Sequence, residues 1–209
     1  MPRTLITAYG PYEEWEENAS WLALQELMRD LPPELDVTTR LYPVEFDEVA
    51  RRLEKDLALG FDLALHLGQA PGNGRIELEA IGINVGIARG KSAEAFALAP
   101  DGPPAYLSQA PLVEWAQRLQ GEGIPAAVSY HAGTYLCNAA LYLTHYLSER
   151  HGYGTQAAFL HLPLDTSQTV VTRQDLASLP SVESARAIRL ILEDAAVRFT
   201  PHDAAAEIE

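Results

Sequence analysis

Apolar positions recur along the chain in two alternating rhythms. Short strand-like runs at 5–9, 37–44, 63–67, 126–129 and 157–162 are bounded by turn-forming residues, which predicts buried strands. Between them the apolar spacing changes to three and four residues, which predicts helices. Asn18 or Ser20 caps a first helix that reaches about Leu31 and stops at Pro32-Pro33, and a second covers 46–59 and ends at Gly60. A third covers 112–120 up to Gly121, a fourth follows Cys137 as far as Gly152, and a last covers 181–199. Strands in alternation with helices, and without an evident polar face, predict one domain of class α/β. The expected architecture is a three-layer α/β/α sandwich with a mostly parallel twisted sheet. A chain of 209 residues closes one such core without a disulfide.

Residues 86–111 form the least regular stretch, rich in Ala, Gly and Pro, and long irregular segments inside a compact domain are commonly functional. The run Gly68-Gln-Ala-Pro-Gly-Asn-Gly-Arg75 has the look of a phosphate loop, but Glu77 stands where a third glycine is required and the following residues alternate like a strand. The net charge of −14 argues against nucleic acid and against anionic membrane surfaces as partners. No window approaches the ~18 uninterrupted apolar residues of a membrane span. With a single cysteine, the expected location is the reducing cytoplasm.

In open α/β sheets, ligands gather beyond the carboxyl ends of the strands. Tyr9-Gly-Pro-Tyr12 follows the first strand, Gly68-Gln69 the third and Cys137 the fourth, while His161 closes the fifth. A cysteine on the first turn of a helix faces unpaired N–H groups and the positive end of the helix dipole, which stabilise a thiolate. An imidazole beside it can take the thiol proton and later protonate a leaving amine. Each residue has a plainer reading: a lone cysteine can be a small buried hydrophobe, and His161 can satisfy a backbone carbonyl. Glu79, if residues 76–85 form one strand, shares the phase of Ile81, Ile83 and Val85 and points to the apolar face, where it needs a histidine or arginine partner. Metal binding through His66, His131, His145 and His161 is disfavoured because none of them has a metal-site spacing, and no metal is expected.

These residues sit in motifs that together resemble the pyroglutamyl-peptidase I family, cysteine peptidases of family C15. They are Thr7-Ala-Tyr-Gly-Pro-Tyr12 with Asn18-Ala-Ser-Trp21, Leu41-Tyr-Pro-Val-Glu-Phe46, His66-Leu-Gly-Gln-Ala70, Ile76-x-x-Glu79 to Asn84-Val85, Val128-Ser-Tyr-His-Ala-Gly-Thr-Tyr-Leu-Cys-Asn138 and Phe159-Leu-His-Leu-Pro163. The resemblance runs from about Thr4 to Phe199. It implies Cys137 as nucleophile, His161 as base and Glu79 as its orienting group, with Arg89 near the oxyanion. It also implies removal of an N-terminal pyroglutamyl residue from a peptide or small amide with a blocked N-terminus, no cofactor, and a homo-oligomer, a tetramer or dimer. A lactam ring without free amine calls for an apolar, aromatic pocket, and Tyr9, Tyr12, Phe46 and Tyr135 are its candidate walls, with Gln69 as a polar contact. Hydrolysis of another cyclic or blocked amide, or binding without turnover, are the rival readings.

The chain departs from the family pattern around that pocket. Glu13-Glu14-Trp15 replaces a glycine pair, Tyr9 and Tyr12 replace phenylalanines, and Ala19, Pro71 and Ala80 replace Pro, Gly and Arg. The resemblance places the Glu13-Glu14 loop in the pocket wall, so its charge is expected to disfavour acidic substrates and weaken turnover.

Overall fold

The computed structural model describes residues 1–88, 94–172 and 175–199. Along the chain come β1 (Thr4–Tyr9), α1 (Ala19–Arg29), β2 (Val37–Tyr42), α2 (Phe46–Leu57), β3 (Leu63–Gln69), β4 (Ile76–Glu79), β5 (Ile81–Ile83), β6 (Gly86–Ile87), β7 (Ala95–Phe96) and β8 (Ala105–Leu107). There follow α3 (Leu112–Gly121), β9 (Ala126–Ser129), α4 (Leu136–His151), β10 (Gln156–Leu162), α5 (Thr166–Thr172) and α6 (Ser181–Arg198). The central sheet has the order β2-β1-β3-β10-β4-β9, while β5 pairs with β8 and β6 with β7 outside it.

Strand alternation builds the three layers. Ile6, Leu65, Leu160 and Leu162 face α1, α3 and α6, whereas Leu5, Ala64, Ala157 and Phe159 face α2 and α4. Both sheet faces are therefore apolar and covered, the reason its strands read as unbroken apolar runs. Helix ends follow the punctuation of the sequence. The Asn18 side chain accepts the Ser20 N–H and starts α1, and Gly152, at φ 68°, terminates α4 in the left-handed conformation that glycine adopts most readily.

β1, β2, β3 and β10 run parallel, as expected, but β4 meets β10 antiparallel and β9 runs with β4. The cause is the six residues 70–75 between β3 and β4. They are too few for a parallel crossover, which takes a dozen or more residues, so the chain must reverse. The strand at 126–129 thus belongs to the reversed pair, and its carboxyl end at Ser129 lies level with Phe159 in the middle of β10.

Residues 76–85 are not one strand. The ladder breaks at Ala80, whose N–H donates to Ser129 O and whose carbonyl accepts the Ser108 N–H, and β5 then leaves to lie on α4. Gly82 permits that approach: a Cβ there would fall 2.8 Å from the Tyr142 nitrogen. Glu79 accordingly alternates with Ile76 and Leu78 rather than sharing a phase with Ile81 and Ile83, and it faces the α4 side of the sheet. Helix α5 was not evident from the pattern, because Thr-Ser-Gln-Thr-Val-Val-Thr is crowded with β-branched residues. Asp165 starts it by accepting the Ser167 N–H at 2.8 Å.

Candidate active site

Glu79 and His161 leave neighbouring strands on the same face of the sheet. Glu79 is opposite Phe159, and His161 is opposite Glu77, so the two side chains meet on the diagonal. His161 Nδ1 donates to Glu79 Oε1 at 2.6 Å. Glu79 is 1% exposed, and a carboxylate so deep is sustained only by a partner of this kind. Its other oxygen, Oε2, has no hydrogen-bond partner among the described residues.

With Nδ1 committed to Glu79, the remaining ring nitrogen meets Cys137. Burial pushes the imidazole pKa down, but the charge of Cys137 and its hydrogen bond, together with the hydrogen bond and charge of Glu79, raise it to about 10. The ring is held in its protonated form, the partner a thiolate requires. Cys137 is the second residue of α4. The first bond of that helix's ladder runs from Ala139 N to Tyr135 O, so the N–H groups of Leu136, Cys137 and Asn138 precede it.

The nucleophile's surroundings fix its position. Gly68 on β3 lies beneath it, and a Cβ at that point would stand 3.0 Å from Cys137 Sγ. The buried Tyr9 hydroxyl donates to Leu136 O at 3.2 Å. Burial, then the charges of Cys137 and Tyr42, pushes the Tyr9 pKa well above its ordinary value, so the phenol stays a donor. Asn138, fully buried, accepts the Ile83 N–H and donates to the Ile83 and Val85 carbonyls, tying α4 to β5.

Cys137, His161 and Glu79 open on a cavity of about 460 Å³ that Tyr9, Tyr12, Gln69 and Tyr135 also line. Gln69 Oε1 accepts the Ala19 N–H and the Gln168 amide, both at 2.8 Å. Phe46 is absent from the wall: it packs edge-on behind Tyr135 at 5.2 Å and against Phe96 at 5.1 Å. Arg89 lies outside the described residues. The loop expected to bring negative charge to the pocket turns away from it. Glu13 and Glu14 are exposed at the corner of a tight turn closed by Tyr12 and Trp15, and neither lines the cavity. Trp15 is instead buried beside α5.

His131 lines the same cavity and accepts the Gly133 N–H at 2.9 Å, whereas His66 and His145 have separate tasks. Thr144 donates to Ala140 O at 2.8 Å and so accepts from His66 Nε2, leaving Nδ1 to accept from Thr7. Both His66 nitrogens are committed, and burial, with the charge of His145, drops its pKa to about 3. His145 stacks on Tyr106, and burial lowers its pKa to about 4. Among the described residues no three His, Cys, Asp or Glu side chains are grouped to hold a metal ion, and no helix is long and apolar enough to cross a membrane.

Several residues of the site were not singled out from the sequence. Asn138 has a signal in its place directly after Cys137. Gln168 belongs to the helix the pattern concealed, and Glu77 was read only as a missing glycine. A thiol facing an imidazole that a buried carboxylate holds, above an aromatic cavity, is an arrangement suited to acyl transfer.

Comparison with known proteins bears on the same chemistry. Residues 2–198 match the family model described as pyroglutamyl peptidase. Pyrrolidone-carboxylate peptidase 1 of Ralstonia nicotianae is 34% identical over 169 residues, which cover 78% of this chain and 79% of that protein. Pyrrolidone-carboxylate peptidase of Staphylococcus aureus is 33% identical over 182 residues, 84% and 85% of the two chains. The crystal structure of pyrrolidone carboxyl peptidase from Fervidobacterium islandicum AW-1 superposes with a TM-score of 0.88 at 31% identity, covering 94% of this chain and 99% of the other.

Proposed function

Because the chain belongs to the pyroglutamyl peptidase family, a family of cysteine peptidases, we propose that it removes an N-terminal pyroglutamyl residue by a Cys137-His161-Glu79 triad. The observation that carries the triad is the 2.6 Å bond from His161 Nδ1 to a fully buried Glu79, with the other ring nitrogen on Cys137. Cys137 Sγ attacks the carbonyl carbon of the pyroglutamyl residue, and the negative oxygen is stabilised by the free N–H groups of the first α4 turn. The C–N bond breaks as the imidazolium of His161 gives its proton to the departing amine, leaving a thioester. Water then attacks the thioester, His161 takes its proton, and pyroglutamate leaves as the thiolate returns. Glu79 holds the ring in one orientation and stabilises its positive charge throughout.

The lactam ring carries no net charge, so it is suited to the aromatic wall of Tyr9, Tyr12 and Tyr135, with Gln69 at its edge. Nothing in these steps calls on a cofactor. We read the whole chain as one peptidase domain working in the reducing cytoplasm as a homo-oligomer. Its lone cysteine and the family's habit support that reading.

The test is hydrolysis of a pyroglutamyl fluorogenic amide, with and without iodoacetamide, by the native protein and by Cys137→Ala. Turnover that alkylation and the substitution both abolish, with the fold retained, is the expected result. Turnover surviving in Cys137→Ala overturns the cysteine mechanism.

A further inference from the structure

The cavity is divided along the sheet. Cys137 stands over β3, close to Gly68. On the β1 and β2 side the wall is Tyr9, Tyr12, Val44 and Tyr135, whereas β10 and β4 supply His161, Glu79 and Glu77 on the other. His161 and Glu79 are bound to each other, but Glu77 is a second carboxylate on the same face of β4, directly opposite His161 in register. Its Oε2 accepts the Asn73 amide at 2.8 Å. The Arg75 guanidinium reaches Oε1 only at 3.4 Å and is 56% exposed. A charge-assisted bond of full strength is about 2.7–2.9 Å, so this solvent-screened pair offsets the Glu77 charge only in part, and the carboxylate remains in the cavity wall.

The two halves of the cavity suit the two halves of a substrate. An uncharged ring belongs among the aromatic side chains, and the departing amine must come to His161 for its proton, so the residue that follows the scissile bond extends over β10 and β4. We propose that Glu77 is a specificity-determining residue that favours a cationic side chain, lysine or arginine, immediately after the pyroglutamyl residue. This rests on the pyroglutamyl reading above and adds a substrate subclass to it. The net charge of −14 acts in the same direction by drawing cationic peptides toward the surface.

The experiment compares kcat/KM for pyroglutamyl peptides that differ only in a Lys, Gln or Glu second residue, at low and high ionic strength. The native protein is expected to prefer Lys over Gln by roughly fivefold and to disfavour Glu by a similar factor, with both ratios shrinking at high salt. In Glu77→Gln the Lys-to-Gln ratio falls toward one, to the remainder left by the net charge, and in Arg75→Gln, which removes the competing guanidinium, it rises. Equal kcat/KM for Lys and Gln peptides in the native protein overturns the proposal while leaving the peptidase reading intact, and so does a Glu77→Gln ratio equal to the native one. Failure to cleave any of the three peptides overturns the peptidase reading and this inference with it.

Discussion

Gly68 and Cys137 are packed so closely that a single methyl group cannot be placed between them: a Cβ on Gly68 would stand 3.0 Å from Sγ and 2.6 Å from Phe159 Cζ. Phe159 is fully buried, so its ring gives way only by displacing other core side chains. Gly68→Ala is therefore expected to cost about 1–3 kcal/mol of stability through overpacking. It is also expected to lower kcat by roughly tenfold or more, because the thiol is displaced from its line to the substrate carbonyl. Urea midpoints and kcat measured together check this. A variant with native kcat would show that the position of Sγ does not depend on the glycine.

Glu79 and His161 are expected to differ in the severity of their loss. His161→Ala removes the proton carrier and costs about 10²–10⁴-fold in kcat, whereas Glu79→Gln keeps an acceptor for Nδ1 and loses only the charge, so its deficit is smaller. The raised imidazole adds a pH signature. Its folded-state pKa of about 10 lies above the ordinary 6.5, so the stability it confers is complete below pH 6.5 and is lost as pH rises through about 10. Because the Cys137 charge is the first of the causes that raise it, Cys137→Ala should flatten that alkaline decline, as measured by denaturant midpoints across the window.

His66 acts in the opposite sense. Buried neutral between Thr7 and Thr144, it resists protonation down to about pH 3, while the unfolded chain takes up its proton near 6.5. Stability is thus expected to fall as pH drops from 6.5 toward 3, with His145 adding to the slope. His66→Gln should be less stable at neutral pH by about 1–3 kcal/mol, since its two hydrogen bonds are disturbed, yet lose less on acidification. Equal slopes for variant and native protein would contradict the assignment.

Glu13 occupies the left-handed region at φ 51° in an exposed turn. Glu13→Gly is expected to raise stability by about 0.5–1 kcal/mol and to leave the ratio of activities on acidic and neutral peptides unchanged. A shift in that ratio would return the turn to the substrate pocket.

Much of the layer arrangement was legible because apolar runs and helix caps are local. Asn18, Gly121 and Gly152 mark helix ends that the structure keeps to within a residue or so. Strand direction is another matter. Apolar periodicity does not encode it, and the reversal of β4 is set by the shortness of residues 70–75. His161 and Gln69 were found because they close parallel strands. Cys137 reaches the same edge by a different route, on the first turn of α4, after a loop that returns from β9, whose own end lies at mid-sheet. The burial of Glu79 was foreseen, but from a strand continuity that Ala80 interrupts. Glu77 lies two residues before Glu79 and shares its face on either reading of the strand, but the sequence pattern marked it only as the place of a missing glycine. The proximity of Gly68 to Cys137 joins residues 69 apart and depends on the exact seat of α4.

Asn138 holds Ile83 and Val85 through three hydrogen bonds while its neighbour in sequence bears the thiol. The segment it grips leads to Ile87, which forms part of the cavity lining. Nucleophile and outer wall are therefore mounted on one frame, so that a shift of the α4 N-terminus carries both in the same direction. The distance from sulfur to that wall is thereby tied to a single hydrogen-bonded joint, whereas the distance from sulfur to His161 spans two separate elements, α4 and β10.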